Sequence, residues 1–257
     1  MPRRPIMTLL VAVLATLGTD AVAADTRLYE MRVYEAAAGK LEALHARFRD
    51  HTVGLFAKHG MTNVAYFVPE GDNPRRRLVY FLAFPDRAAR EASFQAFLSD
   101  PAWQAARDAS EREGKIVERI ESTLLATTDY APELVLPQAK GPRVFELRTY
   151  RAPPGRLPAL NARFRDHTLG LFAKHGMTNV VYWNAAPGEP AADILLVYLL
   201  AHASPAAAKA SFGAFRQDPD WIAARTASEQ RAGGSLTEAT GGVVSEFLVP
   251  TDYSPLR

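Results

Sequence analysis

The chain has 257 residues, of which 48% are hydrophobic and 23% charged, a composition typical of a globular protein rather than a disordered or multi-pass membrane protein. It contains no cysteine, which excludes disulfides, thiolate metal sites and cysteine nucleophiles. The formal net charge is only +2, so no nucleic-acid partner is expected.

The N-terminal residues 1–23 have the pattern of a secretory signal peptide. Arg3 and Arg4 form a basic start, residues 6–17 are apolar but short for a membrane span, and residues 21–23 read Ala-Val-Ala, a typical cleavage site. The pattern predicts a periplasmic or secreted protein that has no membrane attachment after cleavage. An uncleaved anchor is the alternative, and the export route is not determined by these residues.

The rest of the chain contains one module twice. Residues 46–64 and 162–180 differ at one of nineteen positions, Val53 against Leu169, and weaker matches continue on both sides. The predicted organisation is signal peptide 1–23, repeat 1 at 24–130, a proline-containing linker at 131–142, and repeat 2 at 143–257.

Hydrophobic periodicity predicts the same elements in each repeat. In repeat 1 these are a strand at 27–34, a helix at 38–59 ended by Gly60, strands at 62–68 and 77–84, a helix at 86–98, a short helix capped by Asp100 with Pro101 at its first position, and a strand at 116–125.

The order β-α-β-β-α-β indicates an α+β fold of the ferredoxin-like type, with helices on one face of each sheet. The other face needs a partner. We therefore predict that the two ferredoxin-like modules pack their sheets face to face within one chain, as an intramolecular pseudo-dimeric barrel. Pairing between separate chains is the competing arrangement, and a higher oligomer stays open.

The first strand of each repeat supplies candidate ligand-binding residues. Alternate positions are identical between the repeats and therefore share one face of the strand. These positions are Glu30, Arg32 and Tyr34 in repeat 1 and Glu146, Arg148 and Tyr150 in repeat 2. We expect this face to look into the barrel, where the residues either orient a ligand or form a structural Glu–Arg network.

The long helix and the third strand supply the other candidates. Helical spacing places His51 and His167 on the core-facing stripe, where an imidazole could act as acid or base or simply hydrogen-bond within the core. Tyr80 and Tyr198 are expected to point hydroxyls into the same cleft. The histidine spacing predicts no metal site. No cofactor is predicted, although haem ligation by His51 stays open.

Several features together resemble the NIPSNAP family. They are Tyr29-Glu30-x-Arg32-x-Tyr34 and Phe145-Glu146-x-Arg148-x-Tyr150, the helix running into His59-Gly60, the strand around Tyr80, the Asp-Pro-x-Trp step, and Thr-Asp-Tyr-Ser-Pro-Leu at 251–256. The resemblance implies a dimeric α+β barrel. Proteins that share this barrel include small monooxygenases, haem-degrading enzymes and binding proteins.

Two functions follow from the sequence and the resemblance. The first is an exported binding module for a small, partly apolar molecule or for a protein. The second is a cofactor-independent enzyme, monooxygenase- or isomerase-like, that uses a cleft histidine and a tyrosine. An enzyme should have an enclosed cavity with the histidine in it, whereas in a module Phe48, Leu55 and Phe56 should fill that space.

Overall fold

The computed structural model describes residues 25–138, 141 and 143–257, so the expected signal peptide lies outside the described residues. In repeat 1 the elements are β1 (Leu28–Ala36), α1 (Leu41–Arg47), a π-helical turn (Phe48–Thr52), α2 (Val53–Lys58), β2 (Thr62–Pro69), β3 (Arg77–Phe84), α3 (Arg87–Ser99), α4 (Pro101–Ser110) and β4 (Val117–Thr127). In repeat 2 they are β5 (Val144–Arg151), α5 (Leu157–Arg163), a π-helical turn (Phe164–Thr168), α6 (Leu169–Lys174), β6 (Thr178–Ala185), β7 (Leu195–His202), α7 (Pro205–Gln217), α8 (Pro219–Arg231) and β8 (Val243–Pro250).

The eight strands form one closed barrel in the order β1-β3-β2-β8-β5-β7-β6-β4. Two short antiparallel ladders join the repeats. In one, Val68 of β2 lies opposite Val249 of β8, and in the other, Ala126 of β4 lies opposite Asn184 of β6. The predicted intramolecular pseudo-dimeric barrel is confirmed, and its closure leaves an interior that both repeats line together.

The barrel interior is apolar and aromatic. Phe81 of β3 stacks on Trp183 of β6, with ring centroids 5.1 Å apart and planes 12° from parallel, and Phe67 contacts Phe145 at 5.0 Å. All four side chains are fully buried. Each of these two contacts crosses from one repeat to the other, so neither sheet completes its core alone.

The expected orientation of the first strand was wrong. Tyr29, Met31 and Val33 pack into the barrel interior, while Tyr34 belongs to the core between sheet and helices in repeat 1. The row containing Glu30, Arg32 and Tyr34, and its counterpart in repeat 2, therefore faces the helices. The centre of the interior is filled by apolar side chains from both repeats, so an ionised group buried there would have no polar partner.

The C-terminal segment of each repeat contacts the other repeat. Arg49 of repeat 1 forms a bidentate ion pair with Asp252, at 2.6 and 2.7 Å, and Arg165 of repeat 2 forms the same pair with Asp129, at 3.0 and 2.6 Å. Each repeat's C-terminal Thr-Asp-Tyr segment thus packs on the other repeat's first helical region.

The segment between the repeats also contributes to the barrel. Leu134 is buried in the interior cluster, and Gln138 forms an isolated parallel bridge with Leu256, which is itself fully buried there. In the described part of the chain, no helix combines the length and the hydrophobicity needed to cross a membrane.

We predict that Phe81→Ala destabilises both repeats together. Removing a fully buried ring costs about 3–5 kcal/mol of unfolding free energy, and the lost contact with Trp183 belongs to the other repeat. Urea unfolding followed by circular dichroism should show one transition, shifted as a whole. Exposed Ile222→Ala is the control and should have little effect. A separate transition for repeat 2 at the wild-type urea concentration would contradict the shared core.

Candidate functional site

A buried polar cluster lies between the sheet and the helices of repeat 1. The Glu30 carboxylate accepts hydrogen bonds from Arg32 (Nη1–Oε1 2.5 Å), from both Nε and Nη2 of Arg90 (2.8 Å each) and from Ser122 (Oγ–Oε1 2.6 Å). Arg32 also donates from Nε to the Tyr80 hydroxyl at 2.9 Å. The Glu30 side chain is fully buried, and those of Arg32 and Arg90 are 12% and 23% exposed.

Strand register explains why the cluster forms. In the antiparallel ladders Arg32 of β1 lies opposite Tyr80 of β3 on one side and Ser122 of β4 on the other. Directly opposite side chains on one face of a sheet come within contact distance. Arg90 comes from α3, which packs over this face, and so closes the cluster from the helix layer.

Repeat 2 contains the same cluster with one hydrogen-bond partner exchanged. Arg148 donates to Glu146 at 2.5 Å, to Tyr198 at 2.9 Å and to Tyr150 at 3.0 Å, and Ser245 donates to Glu146.

The second partner of the carboxylate differs between the repeats. In repeat 2 the Nε2 atom of His202 lies 3.0 Å from Glu146. At the 118-residue offset, His202 aligns with Phe84 and Arg90 aligns with Ala208. The two repeats therefore satisfy the same buried carboxylate from different elements.

Both carboxylates are ionised. Burial alone would raise the pKa of Glu30, but the hydrogen bonds from Arg90 and Ser122 and the positive charge of Arg32 outweigh it, so the pKa is lowered. The pKa of Glu146 is lowered in the same way, against its burial, by His202, Arg148 and Ser245. Repeat 1 thus places two guanidinium groups around one carboxylate.

A cavity of about 620 Å³ opens above the repeat 1 cluster, between the helices and the sheet. Arg32 and Tyr34 line its sheet side, whereas Glu30 and Tyr80 do not line it. The apolar part of its wall consists of Phe48, Phe56, Phe94, Phe97, Leu98, Trp103, Val117 and Ile120. Its polar part consists of Arg32, Tyr34, Arg47, Thr52, Arg107, Glu111, Lys115 and Glu118.

The cleft wall is held in place by buried contacts. The Arg47 guanidinium lies 5.2 Å from the Trp103 ring centroid and donates to Glu111 at 3.0 Å. Trp103 in turn packs on Phe97 with ring centroids 4.4 Å apart. Phe48 and Phe56, which were expected to fill this space in a binding module, line the cavity and leave it open.

The expectation that His51 and His167 face the core was wrong. Both are exposed, and the buried row of the first helical region contains Phe48, Thr52 and Phe56. The reason is the π-helical turn, in which the Val53 N–H donates to the Phe48 carbonyl five residues earlier. The extra residue in this turn rotates the following positions, so that Thr52 occupies the side on which regular spacing would place His51.

The tyrosines of the third strand support the arginines and do not reach the cavity. Tyr80 and Tyr198 are fully buried, and burial raises the pKa of each hydroxyl well above its ordinary range. Each hydroxyl accepts a hydrogen bond from its arginine, Arg32 or Arg148. These tyrosines thus hold the guanidinium groups in position.

The corresponding region of repeat 2 has a different shape. A cavity of about 490 Å³ is lined by Glu146, Arg148, Phe212 and Phe247 together with the start of α7. The loop between α8 and β8 is longer than its repeat 1 counterpart, and its Leu236 is buried in the helix-side core in the same way as Ile116 of repeat 1. The two cavities differ in their walls, since the repeat 1 cleft is lined by Phe48, Phe56, Phe94, Phe97 and Trp103, whereas the repeat 2 cavity has Phe212 and Phe247. Among residues 25–138, 141 and 143–257, no three His, Asp or Glu side chains gather as a metal site.

Several site residues were missed from the sequence. Ser122 and Ser245 align at the 123-residue offset of the terminal Thr-Asp-Tyr motif, so extending that alignment backward finds them. Arg47 is part of the nineteen-residue repeat and could have been found there. Arg90 is not repeated, and no signal in one sequence identifies it.

We predict that the two forms of the cluster are interchangeable. Arg90→Ala should lower the unfolding free energy by about 2 kcal/mol, because it removes two charged hydrogen bonds to buried Glu30 and leaves Arg32 as its remaining charged donor. Adding Phe84→His places the repeat 2 partner at the same site and should recover a large part of the loss. Thermal melts of the three proteins measure this. If the double variant is no more stable than Arg90→Ala, the two clusters are not equivalent.

Comparisons with known proteins agree with this architecture. A candidate monooxygenase from Lactobacillus acidophilus is similar over 88% of this chain and 94% of its own, with 8% identity and a TM-score of 0.54. Another, from Fusobacterium nucleatum, is similar over 88% and 92%, with 10% identity and a TM-score of 0.54. At these identities the likeness shows the fold alone.

Single-domain NIPSNAP structures match about half of the chain. An uncharacterised NIPSNAP domain protein from Burkholderia xenovorans shares 24% identity over 41% of this chain and 99% of its own, with a TM-score of 0.36. No curated protein matches the sequence. The NIPSNAP family itself matches twice, over residues 29–132 and 145–255. The chain therefore belongs to the NIPSNAP family, with two tandem domains.

Proposed function

We propose that this protein is a binding module for a small, partly apolar molecule, and that the cleft of repeat 1 is its binding site. The observation that supports this most directly is the open cavity of about 620 Å³ with aromatic walls and Arg32 at its base. Its size and its mainly apolar lining are those of small-molecule sites in proteins. A concave site of this kind favours a small molecule over a protein partner.

The second candidate, an enzyme, was expected to have an open cavity here with a histidine in it, and only the first half of that expectation is met. The described lining of the cleft contains no histidine, and His51 and His167 are exposed. The tyrosine in the cleft lining is Tyr34, whose hydroxyl lies 3.4 Å from Nη2 of Arg32. The binding that we propose requires no cofactor.

Binding can be tested with a neutral apolar fluorophore, N-phenyl-1-naphthylamine, titrated into the purified protein. We expect saturable fluorescence enhancement at one site. Leu98→Asn makes the exposed edge of the cleft polar without adding charge and should weaken binding about fivefold through lost apolar contact.

Ile222→Asn is the matched control, since Ile222 is equally exposed on repeat 2 and should not affect the titration. If the fluorophore does not bind, or if both variants bind it as the wild type does, the cleft is not the binding site.

We also propose that the protein is exported to the periplasm or secreted, on the basis of the basic, apolar and Ala-Val-Ala segments in residues 1–23. N-terminal sequencing of the protein purified from its native cells tests this. The expected first residue is Ala24. A chain that still begins at Met1 would contradict cleavage and favour the uncleaved anchor.

A further inference from the structure

The polar cluster of repeat 1 contains a second guanidinium, Arg90, where its counterpart in repeat 2 has an imidazole. Glu30 is the carboxylate that pairs with both Arg32 and Arg90, so the cluster carries a net charge of +1. In repeat 2 Glu146 pairs with one guanidinium, that of Arg148, and with the imidazole of His202. The exchange of Arg90 for Ala208 thus changes the charge beneath the cleft.

The surplus charge lies directly under the cavity. The guanidinium carbons of Arg32 and Arg90 are 5.0 and 4.9 Å from the centroid of the Phe94 ring, and Phe94 and Arg32 line the cleft. Both guanidinium groups are attracted to the Phe94 ring by its quadrupole, but this attraction does not neutralise the charge of either group. Arg32 donates three of its five N–H groups, to Glu30, Tyr80 and Tyr34, which leaves two for a further acceptor.

The rest of the lining does not compensate this charge. Glu111 accepts from Arg47, Arg107 pairs with Asp108 outside the lining, and Glu118 and Lys115 are both exposed. The lining therefore contains four basic and two acidic side chains, and its apolar surface keeps the local dielectric constant low. A partly buried, unbalanced guanidinium in such a cleft favours an anionic group of a ligand.

We infer that the repeat 1 cleft selects an amphiphilic anion, a molecule whose carboxylate- or sulfonate-type oxygens are bound at Arg32 and whose apolar part lies against Phe94, Phe97 and Leu98. This inference rests on the proposed function and adds the chemical class of the ligand. Arg90 acts as a positioning residue, because it does not line the cleft. It pairs with Glu30, whose negative charge would otherwise be matched by Arg32 alone.

Two fluorophores with the same aromatic body test the inference. N-phenyl-1-naphthylamine is neutral, and 1-anilinonaphthalene-8-sulfonate adds one sulfonate. We expect the wild-type protein to bind the anionic probe about tenfold more tightly than the neutral one, as a single unpaired charge at close range would produce.

The variant Phe84→His/Arg90→Ala gives repeat 1 the charge composition of repeat 2 and leaves the lining of the cleft unchanged. It should bind the neutral probe as the wild type does and lose most of the preference for the anion. The matched control is His202→Phe/Ala208→Arg, which introduces the repeat 1 residues into repeat 2 and should leave the preference intact.

The outcomes separate the two proposals. If neither probe binds, the proposed function fails. If the neutral probe binds as tightly as the anionic one, or if the preference survives in Phe84→His/Arg90→Ala, the binding module stands and the selection of anions by the surplus guanidinium is overturned. Melting curves of each variant, measured beside the titrations, show whether a lost preference reflects unfolding.

Discussion

Closure of the barrel by two short ladders between the repeats is the constraint on which the rest of the molecule depends. Where β2 meets β8 and β4 meets β6, only a few residue pairs connect the two halves. These pairs nevertheless convert two open sheets into one barrel, whose centre is filled by fully buried apolar side chains. In that central part, the strands turn apolar side chains inward and their other side toward the helices. The position of each polar residue follows from that division.

The buried carboxylates show how this constraint was met twice. Glu30 and Glu146 occupy equivalent places on the helix side, and each needs charged donors because an ionised carboxylate away from water is costly. In repeat 1 the second donor comes from helix α3 through Arg90, whereas in repeat 2 it comes from strand β7 through His202. Two solutions to one electrostatic requirement indicate that the carboxylate itself is the fixed element. They also indicate that the surrounding charge was free to diverge.

Divergence between the repeats is greatest where a ligand would bind. The exchanged C-terminal segments are symmetric, with Arg49–Asp252 matched by Arg165–Asp129. The clefts between sheet and helices are not, since five aromatic side chains of the helix layer line the repeat 1 cleft and the corresponding repeat 2 cavity has Phe212 and Phe247. A duplicated module in which both halves build the barrel and one keeps an aromatic cleft fits this pattern.

The sequence predicted the order of the elements, the duplication and the barrel, because hydrophobic periodicity and an internal repeat report on these directly. It also predicted which residues of the first strand share a face. It could not predict which face is which, since alternation does not distinguish the inside of a barrel from the helix side. The exposure of His51 was missed because regular helical spacing does not anticipate a π-helical turn. The role of Arg90 was missed because its partner, Glu30, is distant in sequence and the arginine is absent from repeat 2.

Closure within one chain is tested most directly by a disulfide across a ladder between the repeats. The chain has no cysteine, so Val68→Cys/Val249→Cys introduces a single pair at positions that lie directly opposite each other in β2 and β8. Under mild oxidation, an intramolecular disulfide should form in nearly all of the protein, and it should raise the melting temperature without changing the molecular mass. Disulfide-linked dimers, or free thiols in a folded protein, would show that the repeats do not close on each other.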